Sequence, residues 1–415
     1  MKVFKFGGAS IRNAGAVINM ANIIASYSHQ PLAVVVSAMG KTTNALEEIL
    51  NLKTNSDAYH DNLQALKGYH LDIINVLIPD KQNNIYQAVE NSFEKLVEAI
   101  EAHHASHNQK YDQVVSFGEL ISSKIVAAYL QLKLVKMDWL DARQYIRTNE
   151  DFREAKIDWP LTQKRISNLK THIQSSAIIT QGFIGGTVSG FTSTLGREGS
   201  DFTAAILANA LDAESLTIWK DVPGVLNADP KRNMTTTKYP LLSYQEAAEM
   251  TYYGASVIHP KTIKPLADKN IPLLVRSFDY PKEEGTTIHH CELQNLVPAI
   301  IFKTGQTLIT FKMQDLDFIN EKNLSVIFHI LDKLNIKISM MQNSAVSFTV
   351  CFDDYPNKLD QLLEYLANDF NIRYNRNLTL ITVKNYDQPT IDLISKDKEI
   401  LVEQKTRNTY QIVVD

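Results

Sequence analysis

Cysteine is nearly absent from this chain: Cys291 and Cys351 are the only two in 415 residues, and neither sits in a C-x-x-C spacing. That argues against a disulfide framework and a thiolate zinc site, and it suits a reducing compartment. No apolar run approaches the length needed to span a bilayer. The opening MKVFKFGGAS enters a strand at once and leaves no room for the apolar stretch of a signal peptide. A cytoplasmic protein without a membrane partner is the expectation. A dominant charge of one sign is missing too. Lys and Arg number 42 against 46 Asp and Glu, and the net −4 gives no general attraction for nucleic acid or an anionic membrane. An anionic substrate therefore has to be held by locally placed cations.

What is present is ordinary for a soluble globular protein, 44% apolar and 21% charged, in a chain long enough for two domains or three. Short apolar runs at Val3–Phe6, Leu32–Ser37, Val114–Phe117, Lys136–Leu140, Ala177–Gln181, Leu216–Lys220 and Pro272–Arg276 fit strands buried on both faces. Helical patterns separate them, as at Thr203–Leu211. This alternation predicts an α/β fold with a mainly parallel sheet and helices on both faces. Residues 44–109 are polar and helical with no strand pattern, which suggests helices extending from the core. After Pro298 the order becomes strand (Thr307–Lys312), helix (Leu324–Leu334), hairpin (Ile336–Ser339 and Ala345–Phe352), helix (Lys358–Asp369) and strand (Leu378–Val383). That βαββαβ order predicts a ferredoxin-like α+β region. A final pair of strands is expected around Ile400–Val402 and Tyr410–Val414.

Four segments carry chemistry. In Lys5-Phe6-Gly7-Gly8 a strand runs into two glycines that let backbone N–H groups approach an anion, and Lys5 can reach the same anion as a point charge. A surface turn explains this segment equally well on its own. Thr194-Leu195-Gly196-Arg197-Glu198-Gly199-Ser200-Asp201 is more specific. A tight loop opens a helix whose N-terminus faces it, Arg197 offers a fork for a carboxylate, and Ser200 or Asp201 can cap the helix. Ser116-Phe117-Gly118-Glu119 reads as a strand ending in a carboxylate; Glu119 could bind an ammonium group or simply open the next helix. Trp219-Lys220-Asp221 through Asp229-Pro230-Lys231 is a charged, turn-rich loop after another strand. Gly40-Lys41-Thr42 follows a strand but is no P-loop, because that motif needs glycine where Val35 stands.

Taken together and in order, these segments resemble the amino acid kinase family, and within it the aspartate kinases. KFGGAS is similar to their N-terminal signature, SAMG through Thr43-Asn44 to the second strand and its loop, and SFGE to the glutamate loop. TQGFIG and TLGREGSD resemble the substrate loops, WKDVPGVLNADPK the nucleotide loop, and MTYYGASVIHP a further segment. The resemblance implies a catalytic domain over residues 1–292. It also implies an ACT-like regulatory or dimerisation region over 299–415, with one fairly complete unit at about 305–385 and a second, truncated one. It implies transfer of the γ-phosphoryl group of Mg·ATP to the side-chain carboxylate of L-aspartate, in amino-acid biosynthesis. Lys5, Gly7, Gly8 and Ser10 would hold the transferring group, and Asp201 would orient it beside Lys5. Arg197 would bind a carboxylate of aspartate and Glu119 its ammonium group, with Thr43 and Phe183 completing the pocket. Lys220, Asp221 and Lys231 would contact ATP, and Mg2+ would be held by the phosphates rather than by a protein cage. A homodimer is expected, and either feedback by lysine or threonine or a dimer module with no effector.

The chain departs from the family pattern at Ala9, where a threonine is usual, at Leu226, where a tyrosine is common, and at Ser256, where many members carry lysine. Lys220 and Lys261 could restore charge near the nucleotide, and ATP affinity is where a difference is expected. The usual glycine before the first ACT helix is replaced in Glu321-Lys322-Asn323. Two alternatives share the scaffold: a kinase for another acceptor such as acetylglutamate, glutamate or UMP, and a catalytically dead amino-acid sensor. Lys5, Glu119, Arg197 and Asp201 together argue against the sensor.

Overall fold

The computed structural model describes residues 1–415 apart from 134–135, 233–234, 256–257, 294–295 and 315–316. Ser256, one of the departures noted above, lies outside the described residues. The chain divides into two compact units. The first comprises Met1–Val225, Lys238–Ala248 and Val257–Glu292; the second comprises Leu226–Thr237, Glu249–Ser256 and Leu293–Asp415.

The first unit contains strands β1 (Lys2–Phe6), β2 (Leu32–Val36), β3 (Met137–Leu140), β4 (Arg147–Thr148), β5 (Ala177–Gln181), β6 (Ile184–Thr187), β7 (Thr192–Thr194), β8 (Ser215–Lys220), β9 (Leu241–Ser243), β10 (Leu273–Ser277) and β11 (Thr286–His289). Eight of them form one sheet in the order β3-β5-β2-β1-β8-β10-β11-β9, and β4-β6-β7 form a small second sheet. All neighbours in the large sheet are parallel except β10 and β11. The order reverses at β1: the chain leaves it for β2 on one side and later returns as β8 on the other. In open α/β sheets such a switch point leaves a crevice outside the carboxyl ends of the strands. Every residue of β2 is buried, as a strand covered on both faces requires.

The pleat sorts side chains at this centre. Phe4 and Phe6 of β1 and Trp219 of β8 join one large core, with Phe6 and Trp219 stacked at 6.0 Å between ring centroids. Lys5 and Lys220 alternate with them and so project to the opposite face, where the helix Gly199–Leu211 packs on β1, β2 and β8.

One expected strand is absent. Val114 and Val115 close the helix His107–Val115, and Phe117 opens the helix Phe117–Leu132, with Ser116 as the junction. The short apolar run is the buried end of an amphipathic helix, which periodicity cannot distinguish from a strand over four residues. The segment from 44 to 109 is helical as anticipated, with helices Thr42–Leu50, Asp57–Leu77, Asn84–Glu101 and the start of His107–Val115.

The second unit is a six-stranded antiparallel sheet of β12 (Ala299–Met313), β13 (Ile338–Asn343), β14 (Ser347–Asp353), β15 (Phe370–Lys384), β16 (Ile400–Lys405) and β17 (Thr409–Val414), ordered β13-β14-β12-β15-β17-β16. The two 15-residue strands β12 and β15 run through both halves. Their outer halves pack with the helices Glu321–Lys333 and Pro356–Leu366 around Ile309, Phe311, Leu331 and Leu362. Their inner halves pack with the helix Gln388–Ser395 around Ile300, Ile381 and Ile394. A βαββαβ unit is therefore inserted between the strand halves of a second, four-stranded half that carries one helix among the described residues, with a register break at Lys303–Gln306 where Gly305 takes φ 63. The helix Gln388–Ser395, capped by the Asp387 side chain, was not anticipated from the sequence. Among the described residues no helix is long and apolar enough to cross a membrane.

His70 is fully buried in the first unit, with Nδ1 2.8 Å from the Leu66 carbonyl oxygen, and burial pushes its pKa down to about 4. Because the unfolded chain takes up this proton more readily, the stability from a neutral His70 is complete above pH 6.5. It is lost as pH falls toward 4. The loss should reach about 3 kcal/mol at order of magnitude. Urea unfolding of wild type and His70→Gln at pH 7 and pH 4.5 should show a shallower pH dependence in the variant. Parallel curves would assign the acid sensitivity elsewhere.

Candidate active site

A cleft of about 570 Å³ opens at the carboxyl ends of the central strands, lined on its floor by Lys5, Asp201 and Lys220. Lys5 Nζ lies 2.6 Å from Asp201 Oδ1, and Lys220 Nζ lies 3.4 Å from Oδ2. The Lys5 ammonium group thus occupies the Oδ1 side of the carboxylate and Lys220 the Oδ2 side. Burial alone would raise the Asp201 pKa, but the two ammonium groups outweigh it and hold the carboxyl below its usual range. Asp201 sits in the first turn of its helix, where the helix dipole also favours negative charge.

Two glycines are dictated by contact. A Cβ on Gly8 would stand 2.7 Å from the Ala38 carbonyl oxygen and 2.8 Å from that of Gly40, so the loops after β1 and β2 could not close together. A Cβ on Gly199 would strike the Phe183 ring at 2.7 Å. Gly7 lies beside Lys5, since its Cβ would be 3.3 Å from Nζ.

Glu119, in the first turn of Phe117–Leu132, is buried and lines the cleft. Its Oε1 accepts a hydrogen bond from the Ala38 N–H at 3.3 Å, whereas Oε2 has no partner. Burial pushes its pKa up to about 8, against the hydrogen bonds that favour the anion. Glu198 presents a second unpartnered buried oxygen. Burial raises its pKa as well, Lys220 opposes this, and Asp201 adds to it.

The cleft also collects backbone strain. Arg153, Phe183 and Glu198 line it with φ of 73, 67 and 53. The other described non-glycine residues with positive φ are all asparagine or aspartate, which tolerate this region. For arginine, phenylalanine or glutamate it costs about 1–2 kcal/mol each, and such costs gather at ligand sites. Asp112, fully buried, holds part of the arrangement. It accepts from the Arg153 N–H at 3.0 Å, the Thr194 N–H at 2.7 Å and the Thr194 hydroxyl at 2.8 Å.

Of the residues singled out from sequence, Lys5, Gly8, Thr43, Glu119, Phe183, Arg197, Asp201 and Lys220 line this one cleft. Ser10 is buried, its hydroxyl 3.4 Å from the Trp219 carbonyl oxygen. With Asp221 and Ala9 it lines a separate pocket of about 190 Å³. Lys231 lies in the second unit, on the short turn Pro230–Arg232, and so does Leu226. Lys261 lines a different groove of the first unit, with Trp159 and Phe202. Tyr111, Arg153 and Glu154 line the cleft but were not singled out from the sequence. Arg153 sits in a polar stretch, and nothing local signals its backbone conformation. Asp112 reads as one more polar residue on a polar helix.

A mainly parallel sheet with a cationic floor at its switch point suits an enzyme that binds an anionic ligand such as a nucleotide phosphate, and sequence relatives place the chain in a class of small-molecule kinases. The chain belongs to the amino acid kinase family, whose profile matches residues 1–277. It is 33% identical to lysine-sensitive aspartokinase 3 of Escherichia coli over 355 residues, covering 85% of this chain and 78% of that one. It is 32% identical to the chloroplastic aspartokinase 1 of Arabidopsis thaliana, covering 86% and 64%. The crystal structure of E. coli aspartokinase III in complex with aspartate and ADP superposes with a TM-score of 0.87 at 28% identity, covering 100% of this chain and 96% of that one.

Replacing Asp112 with alanine leaves two N–H groups and a hydroxyl unpaired beside the cleft. The expected loss is about 3 kcal/mol, at order of magnitude, read as a fall of several degrees in thermal midpoint. An unchanged midpoint would show that water takes over these donors.

Proposed function

We propose that this chain transfers the γ-phosphoryl group of ATP to the β-carboxylate of L-aspartate, with residues 1–292 as the catalytic domain and 299–415 as the ACT-type regulatory region. The observation that carries the reading is the Lys5–Asp201–Lys220 cluster at the switch point, in a cleft that also holds the Arg197 guanidinium fork and the buried Glu119 carboxylate with an unfilled oxygen. A carboxylate oxygen of aspartate attacks the γ-phosphorus, the bond to the β,γ-bridging oxygen breaks, and ADP leaves. The nucleophile is already ionised at neutral pH, so Asp201 needs to remove no proton. Its role is to fix Lys5 and Lys220 where charge develops on the transferring group. Arg197 binds the carboxylate that is not phosphorylated, Glu119 the ammonium group, and Thr43 and Phe183 close the amino-acid side. Gly7 and Gly8 present backbone N–H groups to the phosphates, while Ser10 and Asp221 serve the nucleotide.

Among the described residues no group of three or more His, Cys, Asp or Glu side chains could cage a metal ion. Magnesium would be carried by the phosphates, neutralising their charge, and the buried, unpartnered Glu198 Oε2 would be a protein acceptor for its hydration water.

The second unit is the seat of regulation and of homodimer formation. A cleft of about 690 Å³, lined by Met313, Asp317, Phe318, Asn320 and Asn323 among others, opens at the N-terminus of Glu321–Lys333. The E. coli relative is named lysine-sensitive, and its structure has been solved with lysine and aspartate. Lysine is therefore the effector we favour over threonine for this chain. Titration calorimetry should give heat with lysine, and silence with both amino acids would leave a dimer module with no effector.

ADP release measured with L-aspartate, acetylglutamate, glutamate and UMP should require L-aspartate. It should fall by about a hundredfold or more in Lys5→Ala and Asp201→Ala, as removal of electrostatic stabilisation does. Turnover with a different acceptor alone would overturn the substrate. Glu119 supplies a second check. With its pKa near 8 it is largely protonated at pH 7 before the substrate arrives, and the ammonium group then favours the anion. Aspartate binding at pH 7 should thus release close to one proton, read from calorimetry in buffers of different ionisation enthalpy. Proton uptake instead would contradict that role for Glu119.

A further inference from the structure

We propose that Arg153 is a second carboxylate-binding guanidinium of the cleft, holding, together with Arg197, the aspartate carboxylate that is not phosphorylated. The proposal rests on the aspartate reading above.

Placement is the first argument. Arg153 lines the same cleft as Thr43, Glu119, Phe183 and Arg197. Its backbone abuts the loop that carries Arg197: a Cβ on Gly196 would lie 3.2 Å from the Arg153 carbonyl oxygen. The two arginines therefore stand on touching segments of the one cleft. A bound aspartate that turns its β-carboxylate to that floor must direct its other carboxylate elsewhere in the cleft.

The second argument is how firmly the side chain is held. Its guanidinium lies 3.9 Å from the centroid of the Tyr111 ring, and its N–H is bound by the buried Asp112. An arginine stacked on a ring loses less freedom when it binds an anion, and its planar fork matches a carboxylate. Nη2 contacts Glu47 Oε1 at 3.4 Å, between side chains that are 42% and 43% exposed. An ion pair that long and that open to water contributes little. It engages one edge of a five-donor fork and leaves the rest for a ligand.

The third argument is strain. Arginine at φ 73 is unfavourable where glycine would be at ease, yet the chain places a long cation there. The Glu47 contact does not account for that choice, whereas a carboxylate ligand does.

The same backbone supplies the test, because R153G removes the guanidinium while relieving the strain. KM for aspartate and for ATP, and the thermal midpoint, are measured for wild type, R153G and R153K. In R153G we expect KM for aspartate to rise by about tenfold, the effect of one charge-assisted hydrogen-bonding group. KM for ATP should stay within twofold and the midpoint should not fall; R153K should recover part of the loss through its charge. An aspartate KM in R153G less than threefold above wild type overturns the proposal. An equal rise in both KM values does so too, since it marks a general loosening of the cleft. Wild-type turnover of aspartate, measured in the same series, separates this outcome from a failure of the aspartate reading itself.

Discussion

Two lysine ammonium groups share one buried aspartate carboxylate at the end of the central strands, and the catalytic unit is arranged around that contact. Lys5 and Asp201 are each nearly inaccessible to water, with side chains 10% and 3% exposed, and Lys220 is 20% exposed. Burial alone would drive the Asp201 carboxyl toward its neutral form, and the two ammonium groups hold it ionised, which leaves the cluster with one positive charge in surplus. That surplus is what an incoming phosphoryl group meets. The cluster therefore needs three elements in register: β1, β8 beside it with Lys5 opposite Ile218, and the helix Gly199–Leu211 lying across them. The stacked Phe6 and Trp219 on the other face fix the strand pair from below.

The amino-acid side of the cleft is built differently, from strained loops rather than regular elements. Phe183 and Glu198 hold left-handed backbones around Gly199, and Arg153 holds one beside Gly196. Buried hydrogen bonds over-determine these turns. Asp112 ties the Arg153 and Thr194 segments together, and the Thr203 hydroxyl accepts from the Phe183 N–H at 3.0 Å. A loop so tied keeps its shape without ligand, so less ordering remains to be done on binding.

The second unit solves a separate problem. Two strands of 15 residues are long enough to serve two halves at once, with a register break at Gly305 between them. One half buries its core beneath two helices and the other beneath one, among the described residues.

Much of this was legible beforehand, for a physical reason in each case. Strands covered on both faces leave unbroken apolar runs, so β1, β2, β5, β8 and β10 could be located to within a residue or two. Glycines that must admit a carbonyl, as at Gly8, or an aromatic ring, as at Gly199, leave Gly-Gly and Gly-x-x-Gly patterns, which located these two positions and, beside them, Lys5 and Asp201. The sequence therefore determined the α/β class, the ferredoxin-like region and the charged residues of the floor, because periodicity and backbone approach are local properties. Only the tertiary structure decided the rest. It turned Val114–Phe117 into a helix junction, joined the two C-terminal halves through shared strands, and placed Ser10 and Asp221 in a pocket of their own. It brought Arg153 and Tyr111 to the cleft and made Asp112 the tie between its walls. These outcomes depend on which distant segments meet, and a buried carboxylate or a strained arginine looks, in sequence, like any other charge in a polar run.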